Sequence, residues 1–295
     1  MIKQISHEIL FEHLHLILLF GFFGLLLNWI AKRNGFFILP LQEDRPPFHL
    51  RGMQVIAPFG IYLLVSLLLA PVVVRTTSVL FATKVQADPM FFAGMLQLSS
   101  LIVILGGLTL YASKQDRGTM RNIWMRGEMS KSRFISDLFL GALTWVIAFP
   151  LVVLIAQICD LLLYLFFGVE SYEQVAVRFM KTALGSPPLL TAALLTIIVA
   201  APIIEEWLFR GFLQTFFRKY LGTKAAILLS AFSFALFHLS TSQGWGNVSL
   251  ALSLFTFACY LGFIYERQRS LFAPISLHMT FNTVSALRIL LMPES

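Results

Sequence analysis

Charge is what this sequence has least of. Only 13% of its 295 residues are Asp, Glu, Lys or Arg, about half the roughly 25% that soluble domains carry. With 58% hydrophobic residues, 29 phenylalanines and a mean hydropathy of +0.80, the deficit excludes a soluble globular chain. Most side chains must face lipid or one another. Cysteine is equally scarce: Cys159 and Cys259 are the only two, both in apolar runs. They read as small hydrophobes, and a disulfide framework is excluded. Internal repeats and low-complexity linkers are absent as well. No small-residue cleavage site precedes the first apolar run, and Lys3, His7, Glu8 and Glu12 lie ahead of or at its edge. That run is therefore expected to be a permanent helix rather than a cleaved signal. A net charge of +7 does not call for nucleic acid, because membrane chains collect Lys and Arg beside anionic headgroups. The lipid bilayer is the expected partner, and no nucleic acid is.

Stretches free of Asp, Glu, Lys and Arg run over 13–31, 52–74, 89–113, 138–159, 182–204, 225–265 and 270–287. A bilayer span takes about 20 residues, so 225–265 is too long for one helix. The turn-rich segment from Ser240 to Asn247 breaks it in two. The expectation is an all-α polytopic membrane protein with about eight transmembrane helices, the fifth extending through the charges near Glu205. The chain divides into 1–133, N-terminal helices with a basic loop, and 134–295, a C-terminal helical catalytic domain.

The basic residues orient these spans. With the N-terminus outside, the inside loops hold Lys32, Arg33, Arg45, Arg51, Lys114, Arg117, Arg121, Arg126, Lys131, Arg133, Arg218, Lys219, Lys224, Arg267 and Arg269, fifteen in all. Six lie outside: Lys3, Arg75, Lys84, Arg178, Lys181 and Arg288. The asymmetry predicts both termini outside. Residues 114–133 form either an amphipathic helix on the inner face, with Trp124 at the interface, or a solvated basic loop.

Charged groups inside a span cost about 2.5–3.5 kcal/mol each, so those that occur need a reason. The fifth span carries Glu205, Glu206 and Arg210. Adjacent helix positions point about 100° apart, so the two carboxylates take different roles. Glu206 and Arg210, at i and i+4, can pair, which leaves Glu205 facing elsewhere without a local cation. Phe234 and His238 share a face of the next helix, and a turn at Gly222 separates the two segments. Glu205 lies 17 residues before Gly222 and His238 lies 16 after it. In an antiparallel hairpin, near-equal distances bring the two side chains to one depth. The last helix adds His278 and Asn282, again at i and i+4. Taken singly, each piece has a structural explanation: packing for the Glu–Arg pair, interhelical hydrogen bonding for the histidines and the Asn. Matched depth and complementary chemistry favour one site. Asp160 is expected near a helix end, and His13, His15 and Asn28 at an interface, outside that site. Gly211 is suited to a close helix approach.

In order, Glu205-Glu206-x-x-x-Arg210, Phe234-x-x-x-His238 and His278-x-x-x-Asn282 resemble the three motifs of the CAAX protease and bacteriocin-processing (Abi) family of intramembrane proteases. That family includes the Rce1-type CAAX prenyl endopeptidases, and the resemblance covers about residues 185–290. It implies hydrolysis of a peptide bond in a membrane-associated or lipidated protein or peptide. Glu205 and His238 would activate water, with Glu205 as general base, and His278 and Asn282 would stabilise the oxyanion. Glu206, Arg210 and Phe234 would support them. The resemblance favours a metal-independent enzyme with no cofactor. The alternative is a zinc ion on Glu205, His238 and His278, although no His-Glu-x-x-His pair is present. A prokaryotic plasma membrane is the expected location. Two other classes stand beside the protease: a non-enzymatic scaffold or bacteriocin-immunity protein, and a transporter with a proton-relaying carboxylate.

Overall fold

The computed structural model describes residues 7–40, 50–87, 89–127, 130–169 and 175–292. Lys3 and Arg45, counted above for orientation, lie outside them. The helices are α1 (His7–Arg33), α2 (Gly52–Leu80), α3 (Ala82–Ala87), α4 (Pro89–Ser113), α5 (Arg117–Trp124), α6 (Lys131–Phe167), α7 (Val175–Ala183), α8 (Pro187–Phe237), α9 (Gly246–Gln268) and α10 (Phe272–Leu291). Among the described residues there is no strand, only a single bridge between Met125 and Ser270. The protein is an all-α polytopic membrane protein.

Six of these helices (α1, α2, α4, α6, α8 and α9) are long and apolar enough to cross a membrane. Lipid can replace water around them because a helix satisfies its backbone internally. Their outer faces carry exposed Phe11, Leu18, Phe22, Leu25, Leu67 and Phe139, as a lipid-facing surface requires. Inside α8, Gly222 has φ 79° and ψ 171°, a conformation open to glycine alone, and there the helix doubles back as two arms. The expectation of about eight counted two more, the second arm of α8 and α10. The second arm, residues 223–237, rises only about 22 Å at 1.5 Å per residue, short of a hydrocarbon core of about 30 Å. His238 caps the end of this short arm.

Local chemistry sets the ends. The side chains of Asp116 and Ser130 accept from the backbone N–H of Thr119 and Arg133, capping α5 and α6. Gly168, with φ 65°, closes α6 in the left-handed conformation. Pro187 and Pro188 open α8, where their missing N–H groups cost nothing.

Two packing groups result. α6 lies against α1, α9 and α10, whereas α2 and α4 lie against the first arm of α8. Polar contacts pin the first group. Tyr260 donates to Asn28 Oδ1 at 2.6 Å, and Asn28 Nδ2 donates to the Ile147 carbonyl at 2.8 Å. His13 Nδ1 lies 2.9 Å from Gln157 Oε1. His13 and Asn28 thus tie α1 into the bundle, and His15 is exposed. Asp160 also departs from expectation, lying within α6, which continues to Phe167.

The basic segment after α4 folds as a short helix docked on protein. α5 buries Thr119, Met120 and Ile123, and Trp124 meets Trp207 with ring centroids 5.1 Å apart. Tyr265 donates to the Ile123 carbonyl at 3.1 Å, and the Leu271 N–H donates to the Trp124 carbonyl at 2.8 Å. Glu266 accepts from Arg126 at 3.1 Å, Arg218 at 2.9 Å and Gln214 at 3.0 Å. One buried carboxylate thereby joins this segment to α8 and α9.

Candidate active site

The two arms of α8 and the middle of α10 bring the motif residues together. Glu205 Oε2 lies 3.5 Å from His238 Nε2 and 3.9 Å from His278 Nε2. Counting from Gly222 is vindicated by the first distance, and the Ser230 hydroxyl, donating to the Phe209 carbonyl at 2.9 Å, fastens the arms. Each imidazole is oriented through its other nitrogen. His238 Nδ1 is 2.8 Å from the Phe234 carbonyl, which only accepts, so that nitrogen carries the proton. His278 Nδ1 is 2.8 Å from Glu206 Oε1. Both Nε2 atoms are thus turned toward Glu205.

Glu206 and Arg210 are fully buried, and they pair at 3.1 Å as their spacing predicts. Arg210 also donates to the Ala258 carbonyl at 3.1 Å and lies 4.6 Å over the Phe234 ring. Phe234 in turn touches both imidazoles, at 4.4 Å from His238 and 5.9 Å from His278. It separates the guanidinium from the histidines and excludes water from behind them. Glu206 thereby meets two partners at once, Arg210 and the His278 ring, a connection that helix spacing alone did not disclose.

Asn282 is placed differently. Its Nδ2 donates to the Ile197 carbonyl at 2.8 Å, so one of its two N–H groups is committed to α8 and the other remains. Ile197 belongs to a wide-turned π segment, Leu195–Ala200, and a second, Trp207–Gln214, follows Glu206. Such segments release backbone carbonyls from the ordinary ladder and often occur at functional sites. Here they flank the turn that carries both carboxylates.

Glu205, His238 and His278 do not provide a fitted zinc site: among the described residues no three His, Cys, Asp or Glu side chains are disposed to hold a metal ion. Gly211 does allow a close approach, but its neighbour is α5. A Cβ there would meet Ile123 Cγ2 at 2.8 Å and Trp207 Cδ1 at 3.0 Å. Reasoning from sequence missed Tyr62 of α2, whose ring packs 5.2 Å from Phe237, next to His238. A polar pair at i and i+4 in an apolar span, Tyr62 with Ser66, was the available signal.

Residues 187–284 match the family described as type II CAAX prenyl endopeptidase Rce1-like. The similarity is confined to this segment, 98 of the 295 residues. It begins where α8 begins and ends just beyond Asn282, so it holds the whole Glu205–His238–His278 constellation and leaves α1 to α7 outside. No curated protein and no solved structure matches the chain. The Rce1-like family implies CAAX-type endopeptidase activity on peptide or protein substrates at a membrane.

Proposed function

We propose that this chain hydrolyses a peptide bond within a membrane-associated or lipidated protein, with Glu205 as the general base. The observation that carries the reading is the convergence of two imidazole Nε2 atoms on one carboxylate oxygen, at 3.5 and 3.9 Å. A water donating to Glu205 and to His238 Nε2 would be held by both. Glu205 takes its proton as the oxygen adds to the scissile carbonyl, and returns that proton to the leaving amine when the C–N bond breaks. His278, its ring oriented by the contact between Nδ1 and Glu206, would donate a hydrogen bond from Nε2 to the oxyanion. The remaining N–H of Asn282 adds a second donor.

No step in this scheme is routed through a metal. Residues 134–295 form the catalytic unit in this reading, with 1–133 packed on it. Both termini face outside a prokaryotic plasma membrane, and the site is reached from the cytoplasmic side. The experiment is a comparison of peptide termini in membrane fractions from cells carrying wild type, a deletion or Glu205→Gln. A terminus that appears only with wild type supports proteolysis. If Glu205→Gln restores the deletion phenotype with no change of termini, a scaffold or immunity role replaces it.

A further inference from the structure

Outside residues 187–284, α2, α3 and α4 enclose a cavity of about 980 Å³, open to one side. Pockets that hold a drug-sized ligand run to about 1,000 Å³, so this one has room for a large guest. Phe92, Leu101 and Ile104 belong to its mostly apolar wall, and among the described residues Arg75 is the one charged group on it. An exposed arginine beside an apolar groove suits an amphiphile with an anionic head, because the guanidinium offers a planar fork to a phosphate. Length narrows the choice. α2 and α4 pack side by side, and a Cβ at Gly107 would meet Ile61 Cγ2 at 3.0 Å. Leu101 and Ile104 therefore lie toward the Tyr62 end of the cavity and Phe92 toward the Arg75 end. From Tyr62 to Arg75 is 13 positions along α2, roughly 20 Å at 1.5 Å per residue. One leaflet of a bilayer, headgroups included, is about 20–22 Å thick. The cavity thus has the length of one lipid molecule, with charge at one end only.

We propose that the α2–α4 cavity binds one phospholipid, with its phosphate on Arg75 and an acyl chain laid past Phe92, Leu101 and Ile104 toward Tyr62. At that inner end the Tyr62 ring packs 5.2 Å from Phe237, the residue before His238, so the chain terminus lies one ring away from the helix that carries His238. The site is independent of the hydrolytic reading, and its test needs no turnover. Purified wild type, Arg75→Gln, Ser100→Phe and Arg178→Gln, stripped of lipid in detergent, are titrated with phosphatidylglycerol and, separately, with diacylglycerol of the same chains. Native mass spectrometry counts the lipid retained on each. Wild type is expected to keep one phosphatidylglycerol and to release diacylglycerol. Arg75→Gln removes the charged donor and should weaken phosphatidylglycerol about tenfold or more, the loss expected for a hydrogen bond to a charged group. Ser100 lines the cavity between its two ends, so the added ring of Ser100→Phe occupies the path of the chain and should weaken binding as well. Arg178 lies on α7, away from the cavity, and Arg178→Gln should bind as wild type does. Equal retention by wild type and Arg75→Gln overturns the phosphate contact, and undiminished retention by Ser100→Phe places the lipid outside the cavity. Diacylglycerol held as tightly as phosphatidylglycerol also overturns the proposal, and assigns the cavity to an uncharged chain such as the anchor of a lipidated substrate.

Discussion

His278 stands between two adjacent carboxylates, with Nδ1 2.8 Å from Glu206 and Nε2 3.9 Å from Glu205. The divergence of about 100° between neighbouring helix positions is what lets one imidazole address both. Glu206 fixes the ring from its buried side and Glu205 meets it from the half-open side. In the proposed mechanism the pair of acidic residues thus divides into an orienting and a reacting member without either leaving the helix.

That division predicts opposite failures for two nearly identical substitutions. Glu205→Gln should accumulate in the membrane with near-wild-type thermal stability and no hydrolysis. Glu206→Gln strips Arg210, fully buried, of its carboxylate partner. Breaking such a pair costs about 3–5 kcal/mol, so yield and melting temperature in detergent should fall together with activity. Equal stability of the two variants would contradict the division.

Asn282 connects stability to chemistry in a graded way. Asn282→Ala leaves the Ile197 carbonyl in the π segment without its side-chain donor, at a cost of about 1–3 kcal/mol. Loss of an oxyanion donor should lower turnover by about 10²-fold or more. Thermal unfolding in detergent and the rate of terminus formation measure the two effects separately. A turnover loss no larger than the loss of folded protein would reduce Asn282 to interhelical packing.

Much of this arrangement could be read from the sequence, and what could not has a physical cause. The apolar run 89–113 is α4 to the residue, because lipid-facing helices tolerate no interior charge. Depth matching across Gly222 brought Glu205 and His238 together even though the first arm contains the π segment Trp207–Gln214. The contact between Glu206 and His278 stayed hidden, since it depends on where α10 docks, and docking is a property of packing rather than of spacing. The π segments around Glu205 carry no sequence mark comparable to Gly222. The tie between Asn28 and Tyr260 was hidden because the two lie 232 positions apart.

The docking of α5 gives a test away from the reacting atoms. At Gly211, a Cβ would approach Ile123 Cγ2 to 2.8 Å and Trp207 Cδ1 to 3.0 Å, and overpacking of that kind typically costs about 1–3 kcal/mol. Gly211→Ala should therefore push α5 outward and separate Trp124 from Trp207. A change in tryptophan emission, with a lower melting temperature, is the expected result. An unchanged emission spectrum would mean that the segment yields elsewhere.

Gly222 tests the hairpin itself. Its φ of 79° with ψ of 171° belongs to a region that is essentially closed to residues with a Cβ, where strain runs about 1–3 kcal/mol. No neighbouring atom lies within 4 Å of a Cβ built there, so Gly222→Ala adds backbone strain without a clash. The strain is relieved only if the two arms of α8 shift in register, and a shift of one residue moves depth by about 1.5 Å. Starting from 3.5 Å between Glu205 and His238, such a displacement breaks the shared hold on a water. Gly222→Ala should then lose activity out of proportion to its loss of stability, and a cysteine pair placed across the arms should cross-link in altered register. If activity falls only as far as the fraction of folded protein, the hairpin has absorbed the strain and the depth match is not what the turn protects.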